Sequence, residues 1–349
     1  MRRTTRCAPA LAATLTALAL FSGARSVAAE DTVHLKMDTL APGTSAYVFA
    51  VAYTNVIQKH LPVEIQVSSG KSAVRMAIDA GKGQVDLFLA SMAVNEFMRE
   101  GTAMFANAPE APDLFAKLRG IINYPIGAYH MIAYADSGIN TLADIKGKRV
   151  FLGPPKGAAR VVTAQVVKGV TGYEPDTDFE EAKLDWTSAQ QAFQDGQIDV
   201  YMGLTSIPSP EIQQFAASRQ IRLLGIPEGD LEKPSVLEAL TPPGRTVERI
   251  APEVYAPHSV NEAPVITIGS QAGLATHVGV DEDVVYRMTK ALFENLAEFH
   301  DNAEWLKQIR PETVFDSMNM PLHAGAYRYF REIGLDVPEA LIPPEAKNG

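Results

Sequence analysis

The residues in this chain best suited to chemistry are small, hydroxylated or basic. They gather in loops rather than in acid–base clusters. The most informative stretch, residues 137–168, reads SGINTLADIKGKRVFLGPPKGAARVVTAQVVK. Thr141 and Asp144 form a helix start around Leu142 and Ile145, and Gly147 stops that turn. Arg149-Val150-Phe151-Leu152 is short and apolar, a strand by pattern. Gly153-Pro154-Pro155-Lys156-Gly157 is a loop, and a helix follows over 158–169. Strand, glycine-containing loop and helix N-terminus in that order present backbone N–H groups to an anion. The same order also serves as a plain connection that binds nothing.

The elements that position such a loop read as two similar sets. Residues 33–37 alternate apolar and polar as a strand does. A loop over 41–45 leads into a helix over 46–60, which Pro62 ends. Residues 63–67 are a second strand, followed by Ser68-Ser69-Gly70-Lys71-Ser72 and a helix over 73–80. A third strand over 85–90 carries Ser91 at its end. Residues 121–125 and 130–134 read as two further strands, the first ended by Pro125. The second set follows: the stretch above, a helix over 188–195, a strand over 198–202, a loop with Thr205, Ser206 and Pro208, a helix over 211–218 and a strand over 221–224. Residues 228–258 are rich in Pro and Gly and read as irregular with one helix. A strand begins at 264–268 and resumes at Ala272. Asp281 caps a helix over 281–299, and a last helix over 323–333 ends at Gly334. Strands alternating with helices predict a mostly parallel α/β sheet, whose ligands bind beyond the carboxyl ends of the strands.

Composition bounds the possibilities. At 349 residues, 46% hydrophobic and 21% charged, the chain suits a globular protein of two domains. Residues 1–29 read as a signal peptide, with a basic start through Arg6, an apolar run over 8–21 and Val27-Ala28-Ala29 before the cut, placed between Ala29 and Glu30. That assigns a periplasmic protein. Cys7 is the single cysteine and lies in this leader. The mature chain then has no disulfide, thiol catalysis or cysteine–metal site. The net charge is −10, and loss of Arg2, Arg3, Arg6 and Arg25 makes the mature chain more acidic. Such a surface disfavours nucleic acid and anionic membranes.

No metal site or cofactor is expected. The seven histidines are scattered, without ligand spacing on any helix. There is no G-x-S-x-G elbow, phosphate-binding Walker loop or G-x-G-x-x-G. Glu180-Glu181 and Asp281-Glu282-Asp283 read as surface or capping carboxylates. What remains is loop hydroxyls and backbone donors, with Tyr47, Arg75, Tyr134, Lys156 and Arg160 nearby. Arg75 and Arg160 sit early in helices, where a cation opposes the helix dipole. A bound anion or simple solvation would offset that.

The sequence resembles the solute-binding proteins of tripartite ATP-independent periplasmic (TRAP) transporters, specifically the TAXI family. ADSGINTLADIKGKRVFLG is similar to that family's D-S-G-I-x-x-L-A-D-L-K-G-K-R-V-x-x-G signature. DGQIDVYMGLTSIPSPEIQQFA, VVYRMTKALFENLAEF and MPLHAGAYRYFREIG resemble further segments, in the expected order. The resemblance implies a two-lobed, type II-like periplasmic binding protein, not an enzyme. It implies capture of a small carboxylate such as glutamate or 2-oxoglutarate and delivery to membrane transporter subunits. The family's G-G-T-Y-Y loop falls on Gly43-Thr44-Ser45-Ala46-Tyr47, and its T-G-G-S loop on the segment holding Ser69 and Gly70. Its A-P-G-S-G-T loop falls on Pro154-Pro155-Lys156-Gly157-Ala158-Ala159. Here the family's hydroxyls are missing and Lys156 is added. Two side-chain hydrogen bonds are lost, roughly 0.5–1.5 kcal/mol each.

The expected architecture is one lobe from residues 30–126 and 268–349 and a second from 127–267. Each is a mostly parallel sheet flanked by helices, with hinge strands near 127–134 and 264–275. Gly43, Thr44, Ser45, Tyr47, Ser69, Gly70, Arg75, Ser91, Lys156, Gly157, Ala158, Ala159, Arg160, Thr205 and Ser206 are expected around the cleft. A monomer is expected. The alternatives are an ABC-type or sensor-linked binding protein, and a periplasmic enzyme on the same scaffold, for which Glu262 and His130 are the nearest candidates.

Overall fold

A computed structural model describes residues 32–42, 44–155 and 157–347. The leader, Gly43 and Lys156 lie outside the described residues. The strands are β1 Val33–Thr39, β2 Val63–Ser69, β3 Leu87–Ser91, β4 Leu118–Tyr134, β5 Arg149–Val150, β6 Glu180–Glu181, β7 Tyr201–Thr205, β8 Ile221–Leu224, β9 Arg245–Ile250 and β10 Val265–His277. The helices are α1 Ser45–His60, α2 Ala73–Gly81, α3 Met92–Glu100, α4 Ala111–Phe115, α5 Ala158–Thr171, α6 Trp186–Gln194, α7 Pro210–Ser218, α8 Pro234–Leu240, α9 Glu282–Glu294, α10 Leu296–His300 and α11 Ala324–Glu332. None is long and apolar enough to cross a membrane, among the described residues.

Two long strands organise the rest. β4 spans 17 residues and β10 spans 13, and they pair antiparallel from Gly269↔Ala128 to His277↔Leu118. β4 carries the chain from the first half of the fold into the second, and β10 returns it, so they must run in opposite directions. The sheet order is β2-β1-β3-β10-β4-β7, with β8 on β4 and β9 on β10. The sheet is therefore mixed. β1, β2 and β3 are parallel to one another, as are β5 and β6. The register puts Thr39 beside Ser69, so the loops after β1 and β2 share an edge.

The buried apolar side chains divide where these strands cross. One core takes residues from Leu35 to Tyr124 and from Ala272 onward. It includes Phe49 stacked on Tyr124 at 4.0 Å. Two further cores, on opposite faces of the second half, take residues from Tyr129 to Ile268. Alternate β4 side chains serve them: Tyr129, Met131 and Ala133 enter one, Ile132 and Tyr134 the other.

Several expectations change in the fold. Residues 121–125 and 130–134 are one strand, not two. Pro125 sits opposite Gln271, where the register shifts between Ser270 and Gln271. At such an irregularity the missing N–H is tolerated. β9 was not expected. The anticipated helix over 281–299 breaks at Asn295 into α9 and α10. The 141–145 start is a single 3-10 turn, with Asp144 accepting from the Thr141 N–H at 2.8 Å.

Gly127 marks the crossing. Its φ is +127°, and a Cβ there would lie 2.1 Å from the Thr205 carbonyl oxygen. Only glycine fits that backbone and that approach. Behind it runs a buried polar chain. His130, fully buried, donates from Nδ1 to the Ala128 carbonyl at 2.9 Å. Its Nε2 accepts from the Tyr255 hydroxyl at 2.8 Å, and that hydroxyl accepts from the Ser209 N–H at 3.1 Å. Burial pushes the His130 pKa down from 6.5 to about 4, against the Ala128 bond.

Two outcomes follow from this crossing. Gly127→Ala should lower the unfolding free energy in urea by at least roughly 2 kcal/mol; an unchanged midpoint contradicts the strain argument. His130 is held neutral, so the unfolded state binds its proton more readily. Its contribution is complete above pH 6.5 and declines as pH falls toward about 4, by roughly 3 kcal/mol in all. His130→Gln should remove that part of the acid sensitivity. A variant whose stability falls as steeply as the parent's between those pH values contradicts it.

Candidate functional site

The helices that leave the loops around the crossing differ in how their first turns are satisfied. The Thr44 hydroxyl caps α1, accepting from the Tyr47 N–H at 3.2 Å and donating to the Ala41 carbonyl. Ser72 caps α2 by accepting from the Arg75 N–H at 3.3 Å. Ser209 caps α7 by accepting from the Ile212 N–H. α3 and α5 begin without a side-chain cap, at Ser91 and Gly157. Among the described residues, no side-chain cap satisfies their first N–H groups. One of these helices stands on each side of the crossing.

The expected residues are brought together only in part. Ser45 and Tyr47 lie half-buried in the first turn of α1, and Ser69 and Gly70 are exposed where β2 ends. Ser91 ends β3 opposite Ala272. Gly157, Ala158 and Ala159 open α5, with Ala158 exposed. Thr205 and Ser206 are turned to their own loop: Thr205 Oγ1 lies 3.0 Å from Ser209 Oγ, and Ser206 donates to the Pro208 carbonyl.

Arg75 and Arg160, two of the basic side chains singled out in the sequence, are already matched by carboxylates. Arg160 makes a two-bond fork to Glu181, Nε to Oε1 at 2.5 Å and Nη2 to Oε2 at 2.6 Å. Glu181 is buried rather than a surface carboxylate, because β6 lies against β5 and turns it inward. Arg160 thus serves the α5–β6 contact and is not an open cation. Arg75 is exposed and pairs with Asp79 at 2.8 Å. Lys71 bridges Asp38 at 2.6 Å and Asp79 at 3.2 Å, both buried. Burial alone would push the Asp79 carboxyl up; the Arg75 and Lys71 bonds hold it below its usual range. Of the two enzyme candidates, Glu262 is exposed and His130 has both ring nitrogens engaged inside the second half.

A residue missed in the sequence stands closer to the crossing. Arg245 opens β9 opposite Ser270 and is half-buried. Its Nη1 donates to Gln165 Oε1 on α5 at 2.9 Å and to the Ala239 carbonyl of α8 at 2.6 Å. Both acceptors are neutral. Burial lowers the Arg245 pKa, with Tyr129 opposing. Burial likewise pushes Tyr129 up to about 12, with Arg245 and Ser270 pulling it back. The preceding Gly244, at φ +80°, packs so closely on α3 that a Cβ would come within 2.6 Å of Met92 Cβ. Its carbonyl accepts from the Gln271 N–H at 2.8 Å. The turn thus links the α3 start, the crossing strand and α5. Pro242-Pro243-Gly244 drew attention to irregularity, while the alternation in RTVERI was the available strand signal.

Residues 37–334 match the NMT1-like family. Among solved structures, one described as a periplasmic transporter aligns at 16% identity and a TM-score of 0.51, covering 87% of this chain and 94% of that one. The alkanesulfonate-binding protein SsuA from Xanthomonas axonopodis pv. citri, bound to MOPS, aligns at 15% identity and 0.44, covering 91% and 99%. The periplasmic ectoine-binding protein of the TeaABC TRAP transporter of Halomonas elongata aligns at 12% identity and 0.42, covering 86% and 90%. The chain belongs to the NMT1-like family, and its fold is that of the two-lobed periplasmic solute-binding proteins.

Proposed function

We propose that this protein is an exported, TAXI-type solute-binding protein that closes its two lobes on a small organic anion and delivers it to a TRAP-type membrane transporter. The solute is a carboxylate of glutamate or 2-oxoglutarate size. The observation that carries this reading is the pair of helix N-termini without side-chain caps, α3 in one half and α5 in the other. Each would stabilise a nearby negative charge by about 0.3–1 kcal/mol, more when water is excluded. Drawing both onto one solute needs a hinge, and β4 and β10 are the strands that bend as the halves approach. The overall charge of −10 makes a local site for anions all the more dependent on such fixed donors.

The enzyme alternative finds little support. His130 is committed to the chain of bonds behind the 205–209 loop, and exposed Glu262 has no hydrogen-bond or ion-pair partner among the described residues that would make it an acid or base. Isothermal titration of the mature protein with small mono- and dicarboxylates, a sulfonate and neutral sugars tests the reading. Saturable binding of a carboxylate at one site per chain is expected. Binding of neutral sugars only, or steady consumption of the bound compound, would overturn it.

A further inference from the structure

We propose that Arg245 is the residue that reads the solute's negative charge, taking a planar carboxylate on the Nε–Nη2 edge of its guanidinium. This inference rests on the anion-binding reading above and adds which group confers it. Lys71, Arg75 and Arg160 each face carboxylates at 2.5–3.2 Å. Arg245 faces the Gln165 amide and the Ala239 carbonyl, and no carboxylate pairs with it among the described residues. A half-buried guanidinium with neutral partners carries a desolvation cost that its own structure does not return. An anionic ligand would return it.

Geometry agrees with charge. Both bonds use Nη1, so Nε and Nη2, the two donors on one side of the planar fork, have no partner among the described residues. They are also not among the buried polar atoms that lack partners. Two parallel N–H groups match the two oxygens of a carboxylate. The side chain is held in place on several sides. Gly244 locks its backbone against Met92 at the α3 start, Ser270 lies across from it on β10, and Gln165 ties it to α5. Elements of both halves therefore fix where this charge sits.

A purely structural role, tying α8 to α5, is the competing explanation. It predicts that any donor of similar length preserves solute binding. The test uses the mature protein and a panel of pyruvate, succinate, L-glutamate and 2-oxoglutarate, with the amide of the tightest binder as a neutral probe. For Arg245→Gln the affinity for that acid should fall at least 100-fold, and the preference for acid over amide should vanish. Arg245→Lys should lie between the two, keeping the charge without the fork. Arg249→Gln, on the same strand and paired with Glu228, should bind as the parent does. If Arg245→Gln fails to fold, the arginine Nε–H resonances of the parent protein serve instead, and one assigned to Arg245 should shift on titration with the acid. Unchanged acid binding and selectivity in Arg245→Gln, or an unmoved Arg245 resonance at saturation, overturns this inference and leaves the anion reading standing. A parent protein that binds none of the acids overturns that reading as well.

Discussion

The close approach of Gly127 to the Thr205 carbonyl is the constraint on which the rest of the molecule depends. It lies where β4 leaves one core for the others, beside the irregularity between Ser270 and Gln271 in β10. Two continuous strands join halves whose apolar side chains do not mix. Each half can keep its own packing while the strands between them bend. Bulges and glycines are the places where a sheet accepts such bending at low cost. The β7–α7 loop is fixed to this point from behind by Tyr255 and His130.

Electrostatics set the second constraint. Within an acidic chain, Lys71, Arg75 and Arg160 at the candidate loops are matched by the buried acids Asp38, Asp79 and Glu181. Arg160 with Glu181 and Lys71 with Asp38 and Asp79 stabilise the loops without offering charge to a solute. These pairs also explain how a helix start can carry an arginine: the Glu181 carboxylate cancels the clash between Arg160 and the α5 dipole. In the proposed anion site, selectivity would then fall to backbone donors and to a cation without an acid partner among the described residues.

Much of the fold was legible in the sequence, because it is written in local patterns. Thr44, Ser72 and Asp281 are caps that sit where short polar residues precede apolar periodicity, and α1, α2 and α9 begin there. What escaped depended on distant partners. Pro125 looked like a strand end, since nothing nearby tells that Gln271 lies opposite at a register shift. Glu181 looked like a surface acid, because its burial comes from pairing across β5 and β6. For the candidate site, the loops themselves were legible in the sequence and the partners of their side chains were not. Thr205 and Ser206 carry the right hydroxyls but spend them on Ser209 and Pro208. Arg245 gave little local signal, since its environment is assembled from β4, β10, α5 and α8.

The central claim is that an anionic solute is held between two halves that move together on binding it. Residues 30–349 contain no cysteine, so spin labels can be placed cleanly in that stretch at Lys82→Cys and Thr177→Cys, exposed positions on either side of the crossing. Their pulsed electron-spin distance distribution, measured with and without a saturating carboxylate, is the most direct test. The account predicts a shorter and narrower distribution with the carboxylate bound. An identical distribution at saturation would contradict it.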